Sequence, residues 1–297
     1  MREPHGAVTP QPHAAIRGGD RARRTRRRTI RYTLLILFAV VAVLLPFWTV
    51  LINSAKILRE ASSLGIGLPT HWQIGPNYNE VITKGKLFRG LRNNLLIVIP
   101  ATAGIVLLGS AAAWAFARSR SRRVSLLYWM CISGILIPPA IVTSVVVLRT
   151  VGLYGTRPGI ILFYMGVYLS FGIFLMTGFV KTIPIELEEA GRIEGAGSFV
   201  IYRRIILPLL APVLVTVAFI SVLFIWNDFF YAFFLIRGQE NLTLSLGLFQ
   251  YVSGILYQVR WNLVFASIVL TSLPLIILFG ISQRYVVSGL LGTIMDK

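Results

Sequence analysis

An all-α membrane protein with six transmembrane helices is the fold class this sequence predicts, and three observations carry it. Apolar residues make up 56% of the 297-residue chain and charged residues 13%, with a mean hydropathy of +0.74. That balance is too apolar for a soluble domain of this length. Six stretches supply the ~20 apolar residues that a hydrocarbon core of ~30 Å requires: Tyr32 to Ile52, Leu95 to Ala117, Val124 to Leu148, Gly159 to Val180, Leu209 to Ile236 and Leu263 to Ser282. Asp228 is the one charged residue inside any of them. The runs are continuous rather than alternating, so helices are expected and a barrel is not.

Residues 1–29 contain Pro4, Pro10, Pro12, Gly18 and Gly19 with little apolar content, and are expected to be a disordered, basic cytoplasmic tail. Seven arginines lie between Arg21 and Arg31, directly before the first span. There they suit a topology anchor on anionic lipid, so the net charge of +18 does not point to nucleic acid. A full-length span follows the arginines rather than a short h-region, so the first span is expected to remain in the mature protein.

Orientation follows from the basic residues. Eighteen Lys and Arg flank the spans on the side of residues 17–31, 118–123, 181–208 and the C-terminus, against ten on the other side. Arg118, Arg120, Arg122 and Arg123 lie within six residues in one short loop. The positive-inside rule then places both termini and the loop at 181–208 in the cytoplasm. The membrane domain is expected over 30–289, with a short cytoplasmic tail at 290–297. A further uncharged stretch, Asn241 to Val259, carries Asn241, Thr243, Ser245, Gln250, Ser253 and Gln258. It is too polar for a lipid-facing helix and is read as external or re-entrant; a seventh span would put the C-terminus outside.

Several chemistries find no support. Cys131 is the only cysteine, and His5, His13 and His71 show no zinc-type spacing, so neither a disulfide nor a metal is expected. The spans hold no paired ionisable groups for catalysis. No Gly-x-x-x-x-Gly-Lys-Ser/Thr occurs, so the chain has no phosphate-cradling loop and no cofactor of its own is expected.

The loop at 181–208 is the most informative segment. Pro184 suits a first helical turn, and Glu186, Glu188 and Glu189 place negative charge near the helix N-terminus. A short helix is predicted over Pro184 to Glu194, with Gly195 left-handed at its end and a new helix starting after Gly197 and Ser198. Leu187, Ala190, Gly191 and Ile193 or Glu194 share a narrow face that fits a groove on another protein. An interfacial loop lying on lipid headgroups explains the same pattern on physics alone.

The spacing decides between them. Glu189-Ala190-Gly191, three residues, Gly195, nine residues, then Ile205, one residue and Leu207-Pro208 resembles the EAA loop of the membrane subunits of binding-protein-dependent ABC importers. Gly191 stands where the second Ala is usual and Glu194 where Asp is usual. Pro76-Asn77-Tyr78, Arg92-Asn93-Asn94-Leu95, the run Ala111 to Arg118, Ile137-Pro138-Pro139, Val151 to Thr156, Trp226-Asn227-Asp228-Phe229, Leu242 to Leu248 and Gln283 to Leu290 follow in the family's order. From about residue 30 onward the chain resembles the MalG-like permease of the carbohydrate branch.

That resemblance implies a MetI-like fold in a bacterial plasma membrane. It also implies a second, MalF-like permease, two copies of a cytoplasmic ATPase that binds the ATP and Mg, and an extracytoplasmic sugar-binding protein. Glu188, Glu189, Ala190, Gly191, Glu194, Gly195 and Ala196 would form the ATPase-coupling helix, with Glu189 bearing the polar contact and Ala190, Gly191 and Gly195 allowing close approach. Pro138-Pro139 should kink the third span, for gating or for packing. Trp226, Asn227 and Asp228 would serve a subunit interface or line the sugar path, and the neighbouring aromatics would stack on sugar or anchor at the membrane surface. An importer of peptides or polyamines is the alternative, followed by a secondary transporter.

Overall fold

The structure, a computed structural model, describes the backbone of residues 16–253 and 259–291 and the side chains of 28–251 and 259–283. Among the described residues four helices are long and apolar enough to cross a membrane, and up to six spans result if each of two bent helix pairs counts as one. The chain begins with α1 (Ile16–Ser54), followed outside by α2 (Leu58–Ala61) and α3 (Ile74–Thr83). Next come α4 (Leu87–Arg118), the pair α5 (Arg122–Leu136) and α6 (Ile141–Thr150), and α7 (Arg157–Val180). The 181–208 loop holds α8 (Glu186–Ile193) and α9 (Ser198–Ile201), then a π-helical segment, Tyr202–Ile206, and α10 (Leu207–Leu209). The chain continues as α11 (Ala211–Asn227), α12 (Phe230–Leu235), α13 (Leu244–Ser253) and α14 (Trp261–Leu291).

Helix α4 packs most extensively on α7, and α11 on both, while α1 lies against α14. Small residues let these helices approach, which matters in lipid because apolar side chains gain little by exchanging lipid tails for another helix. A Cβ at Gly172 of α7 would sit 3.2 Å from Ile105 of α4 and 3.3 Å from Val217 of α11. Around this contact Ile105, Ile173, Met176 and Val217 are buried.

Three sequence expectations are corrected here. The tail was expected to be disordered through residue 29, but α1 begins at Ile16, since alanine and arginine are strong helix formers and extend the span; residues 1–15 lie outside the described residues. Pro138-Pro139 produces a break, not a kink: α5 and α6 stand 120° apart. Two successive prolines remove two N–H donors and force Ile137 to extended backbone, with ψ 111°. The fifth span is likewise interrupted, by a 74° bend at its start and by an extended Asp228, ψ 124°, after Asn227. Helix α13, at 10 residues, is too short to cross, in keeping with a re-entrant or external reading of 241–259. Of the C-terminal tail, 290–297, residues 292–297 lie outside the described residues.

On the outer side, buried amides lace the ends together. Asn77 Nδ2 donates to the carbonyls of Ser54 and Lys56, 2.9 Å each, and Asn262 Nδ2 donates to Asn77 Oδ1 at 2.8 Å. Glu80 of α3 accepts a fork from Arg260, 2.6 and 2.9 Å, and a third bond from Tyr251 at 2.9 Å. The Arg260 guanidinium holds the Glu80 carboxyl well below its ordinary 4.5, at about 2, with Tyr251 and Lys84 adding to it. The lowered value means that the stabilisation is complete above pH 4.5 and fades as pH falls towards 2. Wild-type protein should therefore unfold at a higher temperature than Glu80→Gln at neutral pH, with the gap closing through that acidic window. Thermal scans at graded pH check it.

Helix α13 is seated where α4 has no side chain. A Cβ at Gly90 would meet the Leu244 Cα at 2.9 Å, and backbone there cannot swing away. Gly90→Val should destabilise by roughly 1–3 kcal/mol through overpacking. Gly67→Val, where nothing lies within 4 Å, should leave the unfolding midpoint unchanged in the same thermal scan.

Candidate functional site

Helix α8 is shorter than predicted, because Pro184 lies before it and Ile185 occupies the N-cap position without a side-chain cap. Its end matches the expectation. Gly195 is left-handed, φ 84°, and Gly195 N–H donates to Arg192 O at 3.0 Å while Ala196 N–H donates to Gly191 O at 2.9 Å. These two bonds satisfy the carbonyls that a helix end leaves open and turn the chain sharply into α9.

The two faces of α8 differ in chemistry. Glu188 is wholly buried: Oε1 accepts from Arg118 Nε at 2.7 Å and Oε2 from Arg192 Nη2 at 3.3 Å. Arg118 also donates through Nη2 to Ile183 O at 2.8 Å. A carboxylate taken out of water needs such partners, and here two guanidiniums supply them. Gly191 is buried beside it, where a Cβ would stand 3.0 Å from Ile205 Cδ1. Glu188 and Gly191 thus face this chain's own helices, which corrects the expectation that Gly191 shares the partner-facing surface. The opposite face presents Glu189, Ala190, Ile193 and Glu194 to the outside, with Ile193 87% exposed, and Phe199 projects beside it at 72%. Gly195 is exposed and Ala196 half-buried.

The second half of the loop is held by the same helix. Tyr202 OH lies 2.7 Å from Ser110 Oγ, and its ring stacks on Trp114 at 5.8 Å. Ser110, Trp114 and Arg118 fall four residues apart, on one stripe of α4. Leu207 N–H reaches back five residues to Tyr202 O, a widened turn directly before Pro208, which has no N–H to continue a regular ladder. The sequence contained this stripe as an i, i+4, i+8 pattern without showing what it would meet.

The second group of candidates lies towards the other membrane surface. Trp226 is buried and donates Nε1 to Thr271 O of α14 at 3.2 Å. Asn227 is exposed and donates back to Leu223 O at 2.8 Å. Asp228 accepts from Tyr164 OH at 2.6 Å and from the N–H groups of Ala232 and Tyr231 at 3.0 and 3.3 Å. It therefore caps α12 and pins it to α7, a structural task that resolves its cost in a membrane. Pro138 and Pro139 border a cleft of about 550 Å³ with Tyr168 and Phe224. Those two rings stack at 5.6 Å, and Tyr164 lies 6.2 Å from Tyr168. The structure thus links the proline break to the Asp228 cap through Tyr164, Tyr168 and Phe224, none of which the sequence had marked.

Comparison with known proteins agrees with this geometry. The chain is 31% identical over 261 residues to the diacetylchitobiose uptake system permease protein NgcG of Streptomyces coelicolor, covering 87% of this chain and 86% of that one. It is 32% identical over 277 residues to the melibiose/raffinose/stachyose import permease protein MelC of Bacillus subtilis, covering 91% and 97%. A chain in the crystal structure of a bacterial ABC transporter involved in import of the acidic polysaccharide alginate shares the fold, with a TM-score of 0.77, 22% identity, and coverage of 93% of this chain and 99% of that one. The description of binding-protein-dependent transport system inner membrane components matches residues 105–291, and the chain belongs to that family, as a membrane-spanning permease subunit of an ABC importer.

Proposed function

We propose that this permease forms half of the translocation pathway of an ATP-driven sugar importer. A second homologous permease supplies the other half, two copies of a cytoplasmic ATPase bind the ATP and Mg, and an extracytoplasmic binding protein delivers the sugar. The observation that carries the coupling role is the two-faced α8: Glu188 is clamped inward on Arg118 while Glu189, Ala190 and Ile193 face outward. An exposed isoleucine and phenylalanine flanked by carboxylates suit a groove on another protein better than water. The sugar assignment rests on relatives that import diacetylchitobiose or melibiose, raffinose and stachyose. The stacked Tyr168 and Phe224 in the cleft offer flat apolar faces suited to pyranose rings.

In mechanism, closure of the ATPase dimer moves α8, and the movement passes to α4 through Arg118, Trp114 and Ser110. From α4 it reaches α7 and α11 through contacts that leave no slack at Gly172. The α5–α6 break and the α12 cap are the places where the pathway walls change direction. Ile193→Asp combined with Glu189→Lys should leave membrane insertion and thermal unfolding unchanged while lowering ATPase recovery by about tenfold, the effect of losing a desolvated anchor and reversing a contact charge. Quantitative co-purification in mild detergent checks this. Full recovery of the ATPase, with sugar uptake intact, would refute the docking assignment.

A further inference from the structure

The outer face carries several cations that have no carboxylate partner among the described residues. Lys84, Lys86 and Arg89 line a pocket of about 210 Å³ together with Gln239, Gln250 and Tyr251. Of these three cations, Lys84 alone has a carboxylate within reach among the described residues, Glu80 at 3.3 Å, and that carboxylate already accepts from Arg260 and Tyr251. Lys86 holds left-handed backbone, φ 51°, at the start of α4, a conformation that costs a lysine energy, and it is exposed. Further along, Arg149 lies 4.6 Å from the ring centre of Tyr154, and Arg237 donates twice to the Tyr154 hydroxyl, at 3.1 and 2.9 Å. No ion pair among the described residues involves Lys86, Arg89, Arg149 or Arg237.

A single stitched segment, residues 237–244, runs between the two clusters. Arg237 N–H donates to Gly155 O at 3.1 Å, Asn93 Nδ2 donates to the carbonyls of Glu240 and Leu242 at 2.8 Å each, and Arg157 Nη2 donates to Glu240 O at 2.9 Å. Leu244 N–H donates to Asn94 Oδ1 at 3.1 Å. Cations on a rigid frame keep their mutual repulsion, which an opposite surface relieves and bulk water does so only in part. Glu240 is the one carboxylate on the connecting segment.

From this we infer that the strip Lys84, Lys86, Arg89, Arg149 and Arg237 is an electrostatic docking surface for an acidic face of the soluble binding protein, with the pocket receiving one of its carboxylate side chains. The inference rests on the importer reading and adds to it the chemistry of the partner's surface. The pocket is open to the surface and lined by Lys84, Lys86 and Arg89, and it is this concentration of cations that favours a carboxylate side chain over an uncharged sugar.

The assembled complex in nanodiscs, with the binding protein that co-purifies with it as the probe, supplies the test. Affinity is measured at about 50 and about 300 mM NaCl, between which screening sharpens markedly. Wild-type affinity should fall about tenfold or more with salt. Lys86→Glu/Arg89→Glu/Arg237→Glu should slow association about tenfold and flatten the salt dependence, with basal ATPase activity unchanged; Arg89→Lys should behave as wild type. Salt-independent wild-type binding, or an unaltered charge-reversed complex, overturns the inference, and the wild-type titration decides alone if the variant fails to assemble. Salt sensitivity that disappears when anionic lipid is left out of the nanodisc would assign the cations to headgroups, which also overturns it. A preparation containing neither ATPase nor binding protein would instead refute the importer reading beneath it.

Discussion

One stripe of α4 fixes the cytoplasmic half of this protein. Arg118 grips the buried carboxylate of Glu188, Trp114 carries the ring of Tyr202, and Ser110 holds its hydroxyl. A charge with no access to water is stable only against its partners, so α8 has one seat rather than a range of them. Removing either partner of such a pair typically costs about 3–5 kcal/mol, far beyond what an exposed pair contributes. The loop is therefore seated on α4 as an extension of it, tied to the membrane core through these three contacts. Gly191 completes the seat by letting Ile205 and Ile201 close against α8.

Within the core, the demand that every backbone group find a partner shapes the breaks. In lipid an unpaired carbonyl or N–H costs several kcal/mol, so a helix interruption has to be covered. At Asp228 the carboxylate covers it, taking two N–H groups of the next helix and the Tyr164 hydroxyl of α7. The lone acidic residue of the spans thus earns its place as a cap that also crosslinks two helices. At Pro138-Pro139 there are two fewer donors to satisfy, and the chain turns 120° beside the aromatic cleft. Both departures from regular helix fall on the walls of the same region.

Much of this was legible in the sequence because bilayer physics leaves few options. Apolar runs of sufficient length marked the spans, and the glycine at 195 marked a left-handed helix end that the hydrogen bonds bear out. What stayed hidden depended on tertiary partners. Glu188 and Glu189 are neighbours of the same chemistry, and only the position of Arg118, 70 residues earlier, turns one inward and leaves the other outside. Gly191 read as a site for a foreign surface because small residues serve close approach of any kind, and here the approaching atoms belong to Ile205. Proline reports that a helix is disturbed but not by how much, since the angle depends on where each half packs, α5 on α7 and α6 on α12. The uncharged appearance of 241–259 was similarly ambiguous until α13 proved to be a short helix seated on Gly90.

The central claim, that α4 and the cytoplasmic loop move as one body through the Arg118–Glu188 pair, is tested most directly by a double-mutant cycle. Arg118→Gln, Glu188→Gln and the double variant would be compared for ATP-dependent uptake in proteoliposomes, normalised to the ATPase retained. If the pair transmits the motion, each single change lowers uptake and the double change is no worse than the more damaging single one, with a coupling energy of at least about 1 kcal/mol. Independent, additive losses, or uptake preserved in all three, would show that the loop is linked to the membrane core by some other route.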